Sequence, residues 1–560
     1  MKKLVAAALA AVMAMSLAAC GGSGSSSSSS GSATSGSSAA ETQAVTIAEV
    51  QNVVTAGGSV ETTAAPEKVI DESKSREIVV STPNEPKRVI VWDPEGQISN
   101  YDAPFIYHQF ETPFKLNPDG SMTGILAKDY EWSEDYLTLT VHFKDNVYFS
   151  NGDHMTAEDA AWSINQICST AAGAQYYPNM TSCEAVNDTD MVLKFEKPYP
   201  AVVTSFVHRM SLVYDKKYYE EVGMEGYTAN PVGTGPYIRT ENVLGDHQTM
   251  ELREDYWDKD NMPFYKKVTV KFLTDANAQM LALENGEVDV LLQASIGPFL
   301  KLPADSPIGY STTSASSIMG MVMNMLWGPT AKKEFRQALQ YAINRDELNL
   351  GVYENLAKPV DMFGCSLFIS CPDEGTYTGA PGCDPDKAKE LLQACGYNGE
   401  EYILAVQSGT KAELAAQIIQ GELMNVGINC KVTSLDSASV NALVATAEGW
   451  SSMIRSMNNS VMDMSGSISL SYSYDFRIRG GRQAAVSVRD DEYEEAIVAA
   501  QTIADPEERK LAYAALVSKI NEEAWYIPLL QEFNVTGYNK RVEGVRAYPF
   551  NGIIYFGDLY

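Results

Sequence analysis

The chain has 560 residues, enough for two to four domains and a large buried core. Hydrophobic residues make up 45% and charged residues 20%, so most of it is expected to be globular. The formal charge of −30 excludes nucleic acid as a partner and adhesion to anionic lipid by charge; it fits a well-solvated secreted surface. Thirty Tyr and seven Trp supply aromatics for cores and for pockets that take organic ligands.

The first element is an address. Met1-Lys2-Lys3 is basic, and Leu4 to Leu17 is a run of Ala, Leu, Val and Met with one Ser. It is short for a membrane span and suits the core of a signal peptide, residues 1–19. Leu17-Ala18-Ala19-Cys20-Gly21 resembles the bacterial lipobox, where cleavage precedes a Cys that carries diacylglycerol; the alternative is ordinary secretion. Gly21 to Ala40 then holds 11 Ser and 5 Gly, which cannot bury apolar surface. Residues 20–72 are expected to be a lipidated Cys20 and a tether, with a root-mean-square span of roughly 40 Å.

From Arg76 onward helix and strand signals interleave, which predicts an α/β body. Leu137, Leu139, Val141 and Phe143 alternate with polar residues as in a half-buried strand. Thr156-Ala157-Glu158-Asp159 opens a helix in capping-box style. Asp275 opens another, which Gly286 can close in the left-handed conformation. Phe335, Leu339, Ala342 and Ile343 fall at helical spacing. Asp384-Pro385 and Asp505-Pro506 are both cap-plus-first-turn signals.

Catalytic signatures are missing: there is no His-Glu-x-x-His, Gly-x-Ser-x-Gly or Gly-Lys-Ser/Thr. Gly233-Thr234-Gly235 lacks a third glycine, and Pro236 removes an amide donor, so it reads as a turn and not a phosphate cradle. Its glycines would permit positive φ and close backbone approach. Beyond Cys20 there are seven Cys. A bridge among Cys365, Cys371 and Cys383 is one reading, and Cys395 and Cys430 read as buried thiols. The five scattered His and the lack of Cys-x2-Cys argue against zinc; no metal, cofactor or catalytic residue is expected.

Several segments, in order over about residues 76–560, resemble the family 5 extracellular solute-binding proteins, the oligopeptide- and dipeptide-binding group of ABC importers. They are Leu126 to Ser133, Leu137 to Phe143, and Val147 to Asp153 running into Thr156-Ala157-Glu158-Asp159-Ala160. Pro231 to Tyr237 follows, with Asp255-Tyr256-Trp257. Later come Asn324, Phe335-Arg336-Gln337-Ala338-Leu339, Ala342 to Arg345, Asp384-Pro385 through Gly396-Tyr397, and Glu508-Arg509 through Tyr526-Ile527-Pro528-Leu529. The resemblance implies a two-lobed, periplasmic-binding-protein-like clam with a discontinuous first lobe. Lobe one would be 73–290 and 522–560, with a subdomain about 111–205, and a hinge would link it to lobe two at 291–521.

In peptide-binding members an acidic residue on a lobe-two loop pairs with the ligand's α-ammonium. The matching segment, Ser451 to Met464, lacks the family's usual aromatic, acidic and Asp-Pro elements. Asp463 is its one nearby carboxylate, either that partner or a loop-surface Asp. Arg455, among Met and Ser on a central strand, needs a structural carboxylate or an anionic ligand group. Met457 and its Met neighbours offer an adaptable apolar wall. Further ligand candidates are Asn458, Tyr472, Asn324, Trp327 (pocket or core), and Trp92 and Tyr101 in the first lobe.

The expectation is therefore a monomeric substrate-binding lipoprotein on the outer face of the bacterial cytoplasmic membrane. It would capture a small solute, a short peptide first, and deliver it to an ABC permease without making or breaking a bond. The rivals are a surface hydrolase such as a peptidase, and a sensor or adhesin on the same fold.

Overall fold

The computed structural model describes residues 75–85, 88–93, 103–117, 121–365, 367–444, 448–458, 462–472, 490–546, 548 and 553–560. The strands in chain order are β1 (Glu77–Thr82), β2 (Phe114–Leu116), β3 (Met122–Gly124), β4 (Ala127–Trp132), β5 (Thr138–Phe143), β6 (Met180–Ala185), β7 (Asp190–Phe195), β8 (Tyr237–Val243) and β9 (His247–Leu252). They continue with β10 (Lys267–Phe272), β11 (Val290–Leu291), β12 (Ile308–Met323), β13 (Lys358–Pro359), β14 (Tyr402–Gln407), β15 (Cys430–Leu435), β16 (Ser452–Asn458) and β17 (Tyr526–Asn539).

The large sheet runs β15-β14-β16-β12-β17-β11-β1-β10-β9-β8, with β13 added to β17. Two strands hold it together. At about 3.4 Å per residue, β12 and β17 are each about 50 Å long and reach across both lobes. They pair antiparallel from Ile308 opposite Asn539 to Val322 opposite Tyr526, with a bulge between Ser314 and Ile318. Starting within that bulge, Ser317 to Met323 of β12 also pairs with β16, while the far end of β17 pairs with β11 through Gly537 and Tyr538. The two-lobed clam expected from sequence is thus built on one crossing pair, interrupted by an irregularity where its neighbours change.

Each lobe has its own core. Ile78, Val80, Val268 and Val270 of β1 and β10 pack with Phe556 in one. Met319, Met321, Phe335, Leu339, Leu404, Ile454 and Ile527 pack in the other. Burial of each such side chain contributes roughly 1.5–3 kcal/mol. A four-stranded sheet, β4-β5-β7-β6, forms a separate layer. Within it Leu139, Val141 and Phe143 are buried and Thr138, Thr140 and His142 are half-buried, as the alternation predicts.

The local signals sit where they were read. Asp275 Oδ1 accepts from the Ala278 amide at 2.8 Å, and Gly286 has φ +74°. Asp384 and Asp505 accept from the amides of Lys387 and Glu508, each ahead of a first-turn proline. Gly233 and Gly235 are not among the positive-φ glycines; of the two reasons offered for them, close approach is the one the structure uses. A Cβ on Gly233 would strike the Gln109 carbonyl, and one on Gly235 the His108 carbonyl. The Gly235 amide donates to Gln109 O at 3.0 Å, and Arg253 Nη1 donates to Gly233 O at 3.3 Å. The loop staples lobe one to the end of the helix Ala103–Gln109.

All seven described cysteines are free thiols, so no bridge joins Cys365, Cys371 and Cys383. The Cys365 thiol is buried beside Gln531 and Ala315, whereas Cys383 is exposed near Ala342. Cys430 is buried as expected, but Cys395 is only half-buried, because it caps a helix end. Among the described residues no helix is long and apolar enough to cross a membrane.

Candidate functional site

The site is built where the crossing pair meets β16. Directly opposite residues of neighbouring strands share a face. Ile318 faces Met457, Gly320 faces Arg455, and Val322 lies between Met453 and Tyr526. Gly320 explains the arrangement: a Cβ there would collide with the Tyr526 hydroxyl, so glycine lets that ring lie against the strand. Tyr526 Oη donates to Ile318 O at 3.2 Å, and Phe363 packs edge-to-face on the ring with centroids 5.0 Å apart. Arg455 and Met457 remain half-buried on this floor. Ile318, Phe363, Tyr526, Met462 and Met464 belong to the same buried cluster as Trp92 and Tyr199, with Met457 packed against it.

Polar groups at the bulge fix the strands there. Gln531 Nε2 donates to Ala315 O at 3.2 Å and to Cys365 Sγ at 3.0 Å. Glu532 accepts from Ser317 Oγ at 2.6 Å and from Tyr353 Oη at 2.5 Å. Lys411 Nζ stands 4.0 Å over the Tyr353 ring, where burial holds its pKa below the usual lysine range despite nearby Glu532.

Asp463 is not a loop-surface residue. It is fully buried; its Oδ1 accepts from the Ser465 amide at 2.8 Å, and its Oδ2 lies 3.6 Å from Arg509 Nη2. Burying a carboxylate demands such a partner, and Arg509 comes from the helix Pro506–Glu523, outside the segment in which Asp463 was read. Trp92 is buried against Trp162, Tyr214 and Tyr219, so its ring surface is spent on packing.

Asn324 is also committed: its Nδ2 donates to Trp450 O at 2.9 Å, its Oδ1 accepts from the Leu326 amide, and its O accepts from Thr330. With the half-buried Trp327 it follows the end of β12 that pairs with Ser452. That end is about 20 Å along β16 from Asn458. The structure therefore brings Arg455, Met457 and the backbone of Asn458 together and leaves Asn324 and Trp327 at the other end. Tyr472 is placed by backbone alone at the end of the helix Met464–Tyr472; Cys20 and Tyr101 lie outside the described residues. Sequence reasoning missed Gly320, Phe363, Tyr526 and Arg509. Only Tyr526 and Arg509 gave a signal, as parts of a recognised segment.

A cavity of about 570 Å³ lies between the helix Ala103–Gln109 and the β8–β9 hairpin, lined by Arg88, Ile106, Gln109, Arg239 and Gln248 among others. Residues of β12, β16 and β17 do not line it, so closure about the crossing pair would not seal it. The floor at the junction is the better candidate.

Residues 121–476 match the family model described as bacterial extracellular solute-binding proteins, family 5 Middle. The chain belongs to this family. Among curated relatives of this family 5 protein is the glutathione-binding protein GsiB of Escherichia coli K12, 24% identical over 448 residues, covering 78% of this chain and 86% of that one. Among solved structures, the substrate-binding protein CtaP of Listeria monocytogenes aligns with TM-score 0.75 at 22% identity, covering 86% of this chain and 99% of that one. DppA of Helicobacter pylori, in complex with the peptide STSA, aligns with TM-score 0.73 at 19% identity, over 86% and 98%. NikA of Staphylococcus aureus, in complex with Ni(L-His)2, aligns with TM-score 0.69 at 19% identity, over 86% and 98%. These establish the periplasmic-binding-protein-like fold for the family 5 protein. The matched span contains the whole of β16 and Asp463.

Proposed function

We propose that this chain captures a short peptide between its lobes and delivers it to an ABC permease, acting from the outer face of the cytoplasmic membrane through a lipid on Cys20. The hinge falls at residues 314–318 and 531–533, inside the two crossing strands, which would place the lobe boundaries there rather than at 290/291 and 521/522. One observation carries the reading: Arg455, Met457, Gly320, Tyr526 and Phe363 converge on one face beside the bulge of the crossing strands. The half-buried Met457 thioether accepts varied side chains and the half-buried Arg455 guanidinium can take a carboxylate in a bidentate pair, while the buried Tyr526 and Phe363 rings support the floor beneath them. Closing lobes would exclude water and strengthen each polar contact. The peptide complex of DppA, a structural neighbour, supports the ligand class.

The test is mass spectrometry of solutes that co-purify with the full chain, followed by incubation with labelled di- to pentapeptides. Saturable binding with intact peptide recovered is the expected result. Catalytic turnover would instead establish the hydrolase, and absence of binding across the set would remove the peptide as ligand.

A further inference from the structure

A second meeting of the lobes is lined by residues other than those of the floor, within the same buried cluster. Asp463 and Ser465 stand at the start of the helix Met464–Tyr472, and Arg509 in the helix Pro506–Glu523. Facing them are Tyr130 of β4 and the 3-10 segment Pro200–Val207, which follows the four-stranded sheet. One contact is direct: Tyr199 Oη lies 3.1 Å from Ser465 Oγ, both buried. The rest enclose a cavity of about 40 Å³ lined by Tyr130, Trp132, Thr204, Asp463, Pro506 and Arg509 among others.

Three polar side chains on this cavity carry an atom without a hydrogen-bond partner: Asp463 Oδ2, Arg509 Nε and Tyr130 Oη. All three residues are more than nine-tenths buried. One is an acceptor, one a donor, and the hydroxyl is both. Orphaned buried groups of this kind are normally satisfied by ordered water. A water needs about 10–15 Å³ of such space, so the cavity takes roughly three. An apolar seam would be drier and tighter; this one matches charge and hydroxyl from one side with hydroxyl from the other.

We infer that this seam is a water-bridged closure contact. Tyr130 and Tyr199 dock on the Asp463–Arg509–Ser465 edge and set the balance of open and closed forms before solute arrives. The inference rests on the closing-clam reading above and adds a separate determinant of it. A solute's apparent affinity scales with the fraction of competent protein, so residues that never touch it would tune its capture.

The full chain in detergent, with Cys383→Ser and Cys395→Ser, is labelled for single-molecule energy transfer at Val186→Cys and Met424→Cys, both exposed positions. Tyr130→Phe and Tyr199→Phe are each expected to lower the solute-free closed-to-open ratio about 2- to 10-fold, as loss of one hydrogen bond implies. Their melting temperatures should stay within about 2 °C of the parent. Asp463→Asn should shift the ratio the same way; the tyrosine variants remain decisive if it fails to fold. An unchanged ratio in both folded tyrosine variants overturns the inference, as does a parent with a single conformation under all conditions. A peptide mixture that leaves the parent's ratio unmoved, while the tyrosine variants open it, would remove the peptide reading and leave the closure contact standing.

Discussion

Two regions of this molecule use glycine and a buried carboxylate to opposite ends. In lobe one, Gly233 and Gly235 press against the carbonyls of Gln109 and His108. Nearby Glu111 is buried with neutral donors, Tyr256 Oη at 2.7 Å and Trp257 Nε1 at 3.2 Å. In lobe two, Gly320 yields to the end of the Tyr526 side chain, and Asp463 is buried beside a guanidinium. The first region is rigid backbone on backbone with a carboxyl that can be neutral. The second is side chain on backbone with a charge that must be matched. Recognisability in sequence follows the first kind, and the floor proposed for the solute follows the second.

The largest expected effect is at the charged pair. Arg509→Ala would leave Asp463 buried without compensation and should cost about 3–5 kcal/mol in chemical denaturation. A loss below 1 kcal/mol would mean water already serves as its partner.

Glu111 should give a pH signature. Burial pushes its pKa up to about 7 from 4.5, although the Tyr256 and Trp257 donors work against the shift. The folded form then holds the proton more tightly than the unfolded chain. Its contribution is complete below pH 4.5 and is lost as pH rises through about 7, with a span of about 3 kcal/mol. Glu111→Gln should flatten that part of a stability–pH profile; a profile unchanged by Gln would show that Glu111 is ionised throughout.

The two glycines separate the regions at smaller scale. Gly233→Ala meets a backbone carbonyl that cannot swing aside and should cost about 2–3 kcal/mol, with solute affinity unaltered once folded. Gly320→Ala puts its Cβ on the hydroxyl and ring carbons of the buried Tyr526, which can swing aside only by giving up its packing on Phe363; it should cost about 1–2 kcal/mol and should alter affinity by displacing Tyr526. Equal stability losses, or unchanged affinity in the second variant, would erase the distinction. Arg455→Ala should weaken an anionic solute about tenfold, the scale of one charged hydrogen bond, while the protein remains folded; loss of fold would assign Arg455 to a structural pair.

What the sequence made legible was local or repeated by necessity. Asp384-Pro385 and Asp505-Pro506 open helices because cap and first turn lie within four residues. The alternation in Thr138–Phe143 predicts a strand because one face is more deeply buried. The site was only partly legible. Arg455 and Met457 stood out as residues odd for a central strand, but Gly320, Phe363 and Tyr526 meet them from three separate segments. Asp463 seemed free to be a surface residue because its partner lies on a distant helix. Asn324 and Trp92 looked available because polar and aromatic side chains suit ligands and cores alike; backbone carbonyls and neighbouring rings claimed them first.

The crossing pair also dictates when the protein can exist. Tyr526 reaches Ile318 across a sequence separation of 208, and Ile527, Leu529 and Leu530 complete the core of lobe two. Until the last few dozen residues have been delivered, β12 has an unpaired edge along its length and lobe two lacks part of its interior. A chain threading a secretion channel from its N-terminus would thus remain unfinished until nearly all of it has crossed. Its vulnerability to proteases and self-association should be concentrated in that interval, and deletion from residue 526 onward should disable both lobes at once.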